Sequence, residues 1–239
     1  MTILIVSPDD HTEVSSVDGH AQQSADAVWA TIRTAAGDGV ADGDAAAQVQ
    51  CQIVTHASSS GVWSDFTRGI YVFDTGKSLP HNAEISSAII EFAGAGNVVD
   101  GFGSAAISLV LPSPASNTAI VAGDYNSFAG LNGSMTKQAN DIALASLNDN
   151  SSYETEKFTL DATGLSNISK TVPSAFGIVI TFDAENAEPA WVGDTRSRVQ
   201  IVSADGGPAI PKMTIEYTVA HQRGPSGGVG LFSSGVAVV

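Results

Sequence analysis

Between Arg68 and Gly94 the chain reads RGIYVFDTGKSLPHNAEISSAIIEFAG, and this stretch narrows the fold more than any other. Gly69, Tyr71 and Phe73 fall on one side of an extended chain and Ile70 and Val72 on the other, so both faces are apolar. Such a segment needs cover on both sides, which suits a strand inside a sandwich. Lys77 to Asn82, with Pro80, interrupts the run. Ala88, Ile90 and Phe92 then alternate with Ile89 and Glu91, the pattern of a half-buried strand. The two strands read as a hairpin-like pair, and nothing in the stretch is chemical equipment.

The rest of the chain repeats this grammar of short alternating runs and turn signals. Ile3 to Val6 reads as a short first strand, stopped by Ser7-Pro8-Asp9-Asp10. Asp26 to Thr34 fits a helical turn or a strand. Val49 to Thr55 is a strand, followed by a Ser-rich loop, His56 to Asp65, that carries Trp63. Ala105, Ile107, Leu109 and Leu111 share one face of a strand that Pro112 and Pro114 stop. Asn117 to Gly133 reads as a long loop holding Tyr125 and Phe128, Asn140 to Leu147 is ambiguous, and Lys157 to Leu160 is a short strand. Asp161 to Lys170 reads as a short helix capped by Asp161 or Thr163.

Towards the C-terminus, Phe176, Ile178, Ile180 and Phe182 share a strand face. Asp183 to Gly193 reads as an acidic loop with Trp191, and Val199 to Ser203 as a strand. Lys212 to Val219 closes the sheet with Met213, Ile215, Tyr217 and Val219 inward. Together these predict an all-β chain: an antiparallel β-sandwich of jelly-roll type with one short helix and flexible terminal arms. The expected domains are an N-terminal arm or short strand over 1–20, the sandwich over 21–219, and a Gly/Ser-rich C-terminal arm over 220–239.

At 239 residues, 43% hydrophobic and 15% charged, the chain can build a sizeable core and is not disordered by composition. Its net charge of −15, with ten Lys and Arg scattered along it, argues against nucleic acid and against an anionic membrane surface as partners. No window approaches the ~18 apolar residues of a membrane span. The start, MTILIVSPDD, has no basic segment and too short an apolar run for a signal peptide, so the expectation is a chain made in the cytoplasm and not exported by the usual route. The single cysteine, Cys51, allows no internal disulfide. It lies in phase with Val49 and Ile53 and reads as a buried filler.

Arg68-Gly-Ile-Tyr-Val-Phe-Asp74, Leu79-Pro80 and Ala83-Glu-Ile-Ser-Ser-Ala88 resemble the "R-x-x-L-x-F-D … L-P … A-x-I-x-S-A-x-L" signature of DNRLRE-type domains, carbohydrate-binding-module-like jelly rolls of cell-wall and surface proteins. Pro211-Lys-Met-Thr-Ile-Glu-Tyr-Thr218 resembles their closing strand, "K-P-x-L-x-V-x-Y-T", with Lys and Pro exchanged. The longer layout also resembles uncharacterised structural proteins encoded in phage genomes. That likeness is carried by Val28-Trp-Ala-Thr-Ile-Arg33, Pro114-Ala-Ser-Asn-Thr118 with Asp124-Tyr125, Leu160 to Thr171 and the strands above, and it spans roughly 17–219. The resemblance implies a sandwich and says less about function.

Candidate chemistry is sparse. His11, His20, His56, His81 and His221 lack metal-ligand spacing, so no metal site is expected from them. Asp38, Asp42 and Asp44, or Asp183, Glu185 and Glu188, could offer oxygens to calcium, and the resemblance to binding modules implies that a structural calcium could be held; no other cofactor is expected. Asp183 and Glu185 do not suggest the paired carboxylates of a glycosidase. No nucleophile elbow is present.

Trp63, Tyr125 and Trp191, placed in loops, are the candidates for stacking on a sugar ring; the other reading, favoured because large aromatics are usually mostly buried, is that each plugs one end of the sandwich. Ile3, Leu4 and Ile5 at one end, and Leu231, Phe232, Val236, Val238 and Val239 at the other, are the candidates for arms that dock onto a neighbouring subunit. The expectation is a non-enzymatic phage virion protein, located in the particle as a capsid decoration, head-fibre or tail-associated component. Its partners would be other virion proteins of the capsid or tail and further copies of itself, a trimer being a common form, and surface polysaccharide is a further candidate. The alternative is a cell-surface or secreted glycan-binding module, with a polysaccharide depolymerase as the third reading.

Overall fold

The computed structural model describes residues 1–10, 12–42, 48–94, 96–147, 155–206 and 210–219. The predicted arm residues Leu231, Phe232, Val236, Val238 and Val239, and also His11, Asp44 and His221, lie outside the described residues.

In chain order the strands are β1 (Thr2–Val6), β2 (Asp18–Gln23), β3 (Ala27–Val28), β4 (Gly39–Ala41), β5 (Gln48–Thr55), β6 (Val62–Phe73) and β7 (Ala83–Ala93). They continue as β8 (Val99–Asp100), β9 (Ala106–Val110), β10 (Ile142–Ala143), β11 (Thr155–Thr159), β12 (Ser174–Ile180), β13 (Arg196–Val202) and β14 (Lys212–Val219). Among the described residues four short α-helices punctuate them, α1 (Trp29–Thr34), α2 (Thr75–Ser78), α3 (Ala162–Ser166) and α4 (Thr181–Glu185), with three 3-10 turns at Ala122–Asn126, Leu144–Ser146 and Ala204–Gly206. The chain is mostly β, an antiparallel sandwich as its alternation predicts.

One sheet runs β1-β14-β7-β11; the other follows β10-β9-β12-β6-β5-β13-β8, with β2, β3 and β4 attached beside β6. Apart from the consecutive pairs β5-β6 and β9-β10, neighbours along these two orders are not consecutive in the chain, as in a jelly roll. Of the segment 1–20, expected as an N-terminal arm or a short strand, Thr2–Val6 forms the short strand β1 at the rim of the smaller sheet, and Asp18 opens β2 of the larger one.

The central pair is not a hairpin. β6 lies in the larger sheet and β7 in the smaller one, and α2 carries the chain between them. Asp74 caps α2 by accepting a hydrogen bond from the Lys77 amide. The sheets meet where Tyr71 of β6 packs on Phe92 of β7, ring centroids 4.7 Å apart. The outer face of β6 is covered as well, by the chain around Tyr125 and Phe128 and by α4. That second cover is why the strand is apolar on both faces.

β6 also changes partner midway. β2 runs along Phe66 to Tyr71. Since a strand has only two edges, β5 (opposite Trp63 to Thr67) and β12 (opposite Gly69 to Phe73) must share the other. The fork falls at Arg68 and Gly69. A Cβ on Gly69 would sit 2.8 Å from Val49 Cγ1 and 3.1 Å from Cys51 Sγ, so the converging strands leave room only for glycine.

Other expectations resolve locally. Asp26 to Thr34 is strand then helix, β3 followed by α1. The helix after Asp161 forms as α3, and Asp161 caps it by accepting from the Gly164 amide. The strand expected to include Phe182 ends at Ile180, and α4 begins there. Phe182 packs edge-on against Phe102 instead. Val219, expected inside, is 41% exposed.

Candidate functional site

The densest polar chemistry is buried, and it organises the covered face of β6. Arg68 is 0% exposed and Asp183 2%. Arg68 donates from Nε to Asp183 Oδ2 at 2.7 Å and from Nη2 to Oδ1 at 2.9 Å. Its remaining donors reach the backbone carbonyls of Tyr125 and Arg33. Arg33 Nε lies 3.0 Å from Asp183 Oδ1, and its Nη1 and Nη2 bond the carbonyls of Leu131 and Gly133. The Tyr125 ring lies under the Arg68 guanidinium, 4.0 Å from its carbon, and its hydroxyl donates to Ile32 O.

Burial disfavours the charge on both arginines. For Arg33 it wins, lowering the pKa below the usual guanidinium range. For Arg68 the attraction of Asp183 and Tyr125 outweighs it, and the pKa is raised. Two cations on one carboxylate, their donors spent on backbone carbonyls, make a clamp between α1, β6, α4 and the covering loop. Every nitrogen of the two guanidiniums has a partner within the chain.

The clamp removes Asp183 from the roles considered for it. Glu185, two residues on, points to Lys137 Nζ at 2.7 Å. Glu188 Oε1 accepts from Trp63 Nε1 at 2.9 Å. Asp38 accepts from the Ser24 amide, and Asp42 from the Ile120 amide at 2.6 Å. Among the described residues no three His, Cys, Asp or Glu side chains converge as a metal site.

Two of the three predicted stacking residues are in the core. Trp63 and Tyr125 are each 0% exposed, so neither offers a ring face to a sugar. Trp63 is not in a loop either: it is the second residue of β6 and packs edge-on with Trp29, centroids 4.8 Å apart. Trp191 keeps partial exposure and donates from Nε1 to Val62 O at 2.9 Å. It sits near Trp63, whereas Tyr125 belongs to the arginine clamp, so the three do not form one platform.

Other buried titratable groups are also structural. Cys51 is buried, bonds Ile178 O from Sγ at 3.0 Å, and burial pushes its thiol up to about 12. Asp18 accepts from the Ala204 amide at 2.9 Å, and burial raises its carboxyl to about 8. Burial lowers His20 to about 4. The closed space between Phe92, Ile107, Leu147 and Ile201 holds about 20 Å³, room for no more than a water. An open basin of about 560 Å³ is lined by Thr34, Asn126, Phe128, Leu131, Asn132 and Ser134. It contains no charged side chain. Asn126 and Asn132 make no side-chain hydrogen bond among the described residues.

The edges of the smaller sheet differ sharply. β11 (TEKFT) carries Glu156 and Lys157. Lys157 pairs with Glu91 Oε1 at 2.8 Å, and Lys212 reaches Glu91 Oε2 at 3.1 Å, which lowers the Glu91 pKa through Lys157 first. β1 (TILIV) carries no charge. Leu4 and Val6 pack on the core, while Ile3 and Ile5 are each 59% exposed on the outer face. Among the described residues β1 pairs only with β14, leaving one edge open. Proteins ordinarily guard such an edge with charge, proline, a bulge or extreme shortness. The two-residue end strands β8 and β10 of the larger sheet are guarded by shortness; among the described residues β1 shows none of these guards.

No helix among the described residues is long and apolar enough to cross a membrane. No known family model matches the chain, and no curated protein matches it at a significant level.

Proposed function

We propose that the chain is a non-enzymatic structural protein of a phage virion, a capsid decoration, head-fibre or tail-associated component that works by assembling with copies of itself and with other particle proteins. One observation carries the reading: β1 presents an uncharged edge with Ile3 and Ile5 exposed on a chain of net charge −15. An acidic surface keeps the chain soluble, and the strip without charge is where another chain can join. The arginine clamp supports the reading, since the most elaborate polar cluster fastens loops to a sheet. The test is peptide mass spectrometry of density-banded particles from cells producing the protein. The chain co-bands with capsid or tail proteins if the reading holds; recovery only from the soluble fraction contradicts it.

A second reading, a glycan-binding module, is favoured by the uncharged basin and its free amides on Asn126 and Asn132. Neutral hydroxyls are bound by such groups, and a virion component could carry both roles. Binding of neutral polysaccharides that falls at least tenfold in Asn126→Ala and Asn132→Ala, with unchanged unfolding midpoints, supports it. Equal binding by the variants, or none by the full chain, removes it.

A further inference from the structure

We propose that β1 joins two copies of this chain through a two-fold antiparallel contact centred on Leu4, extending the β1-β14-β7-β11 sheet continuously into its copy. The inference rests on the reading of the chain as an assembly protein and names the surface and the occupant.

The register follows from face parity. In an antiparallel pair, residues directly opposite each other project from the same face. Ile3 and Ile5 lie on the outer face and Leu4 and Val6 on the core side, so a copy must oppose odd positions to odd and even to even. Centring on Leu4 is the arrangement of that parity that uses every residue of the strand. It sets Ile3 against Ile5 of the second copy, Leu4 against Leu4, and Thr2 against Val6.

The outer face then gains a cluster of four isoleucines at the seam. Each of these side chains is 59% exposed in the single chain. Alternative registers of the same parity leave one isoleucine in each copy unopposed.

Self-complementarity points to a copy: turned about a two-fold, the same five residues set each exposed isoleucine against another. A cationic partner would be drawn to the acidic surface at large, not to the strip that lacks charge. A two-fold contact brings the same patch together from both sides, and TILIV is a place where two chains of net charge −15 can meet without opposing carboxylates. The remaining repulsion is long-range and screened within about 10 Å at 0.1 M salt, so the association strengthens as salt rises.

The register is tested with two single-cysteine variants, Ile3→Cys and Ile5→Cys, made in the full chain. Cys51 is buried and bonded to Ile178 O, so it does not compete. Opposed residues lie within disulfide reach. Ile3 and its own copy, offset by two residues along the strands, lie beyond the roughly 7 Å Cα limit. Mild oxidation of the mixed variants gives at least tenfold more covalent dimer than either variant alone, with the unfolding midpoint unchanged.

No dimer from the mixture, or equal dimer from the separate variants, overturns the contact. Particle incorporation of the chain without this cross-link leaves the assembly reading standing and removes only the β1 contact. Absence from particles together with a monomeric wild type at every salt concentration removes both.

Discussion

Arg68 holds both carboxylate oxygens of Asp183, at 2.7 and 2.9 Å, across 115 residues of sequence. The bond ties β6 to the start of α4, and Arg33 joins it from α1. Each guanidinium also anchors carbonyls of the loop that covers the sheet. The cluster is costly to desolvate and more costly to break, because a survivor is left charged and buried. Asp183→Ala should therefore lower stability by about 3–5 kcal/mol, measured by urea unfolding. A loss below about 1 kcal/mol would show that water already reaches the arginines.

Two tyrosines make a matched pair of opposite sign. The Tyr71 hydroxyl is buried with no partner among the described residues, whereas the Tyr125 hydroxyl donates to Ile32 O at 2.7 Å. An unsatisfied buried hydroxyl costs about 1–3 kcal/mol, and a satisfied one contributes about 1 kcal/mol. Tyr71→Phe should be neutral or stabilising and Tyr125→Phe destabilising by about 1 kcal/mol. Thermal unfolding of the two variants side by side decides it.

Stability should fall as pH rises above the ordinary histidine range, and Asp18 is the reason. Its folded carboxyl titrates at about 8, raised from 3.8, so between those values the folded state holds a proton that the unfolded state has lost. His20 works in the other direction: lowered from 6.5 to about 4, it is neutral in the fold where the unfolded chain is charged. From about 4 to 6.5 the two slopes oppose each other. From 6.5 to about 8 only Asp18 remains, and stability is lost at up to about 1.4 kcal/mol per pH unit. Asp18→Asn should flatten that upper limb, followed by urea midpoints across the range.

Cys51 should be silent in the native protein. Its thiol is buried and raised to about 12, so little thiolate exists and reagent cannot reach it. A thiol reagent such as iodoacetamide should label the chain only in denaturant. Labelling at the same rate in buffer would mean that β5 opens readily.

Much of the fold was legible because alternation reports burial directly. The phase of Val49, Cys51 and Ile53 was visible for that reason; the helix after Asp161 was visible from its capping chemistry, which left Asp161 and Thr163 open as the cap. Partner choice was not, since a Pro-containing break after Phe73 suits a hairpin as well as a crossing between sheets. Nor does alternation say where a strand stops: Thr181-Phe182 continues the period, yet α4 begins there and sets Asp183 beside Arg68. The clamp left one trace, an arginine between Phe66-Thr67 and Gly69-Ile70-Tyr71-Val72-Phe73, where a free charge could not be tolerated. Its partner could not be found at a separation of 115 residues. Trp63 and Tyr125 could be read as exposed rings or as plugs of the sandwich, because a loop sequence does not say which side of the chain faces water; both are buried. The open edge of β1 needed the pairing pattern, because TILIV reads the same in the middle of a sheet as at its rim.

The most direct test of the account is sedimentation equilibrium of the full chain beside an Ile3→Lys, Ile5→Lys variant, at low and at 0.5 M salt. Both positions are exposed, so the lysines should leave the unfolding midpoint unchanged while placing charge on the open edge. The account predicts a wild type that associates, more strongly at the higher salt, and a variant that stays monomeric at both. A wild type that remains monomeric throughout, or a variant that associates as well as the wild type, would contradict it.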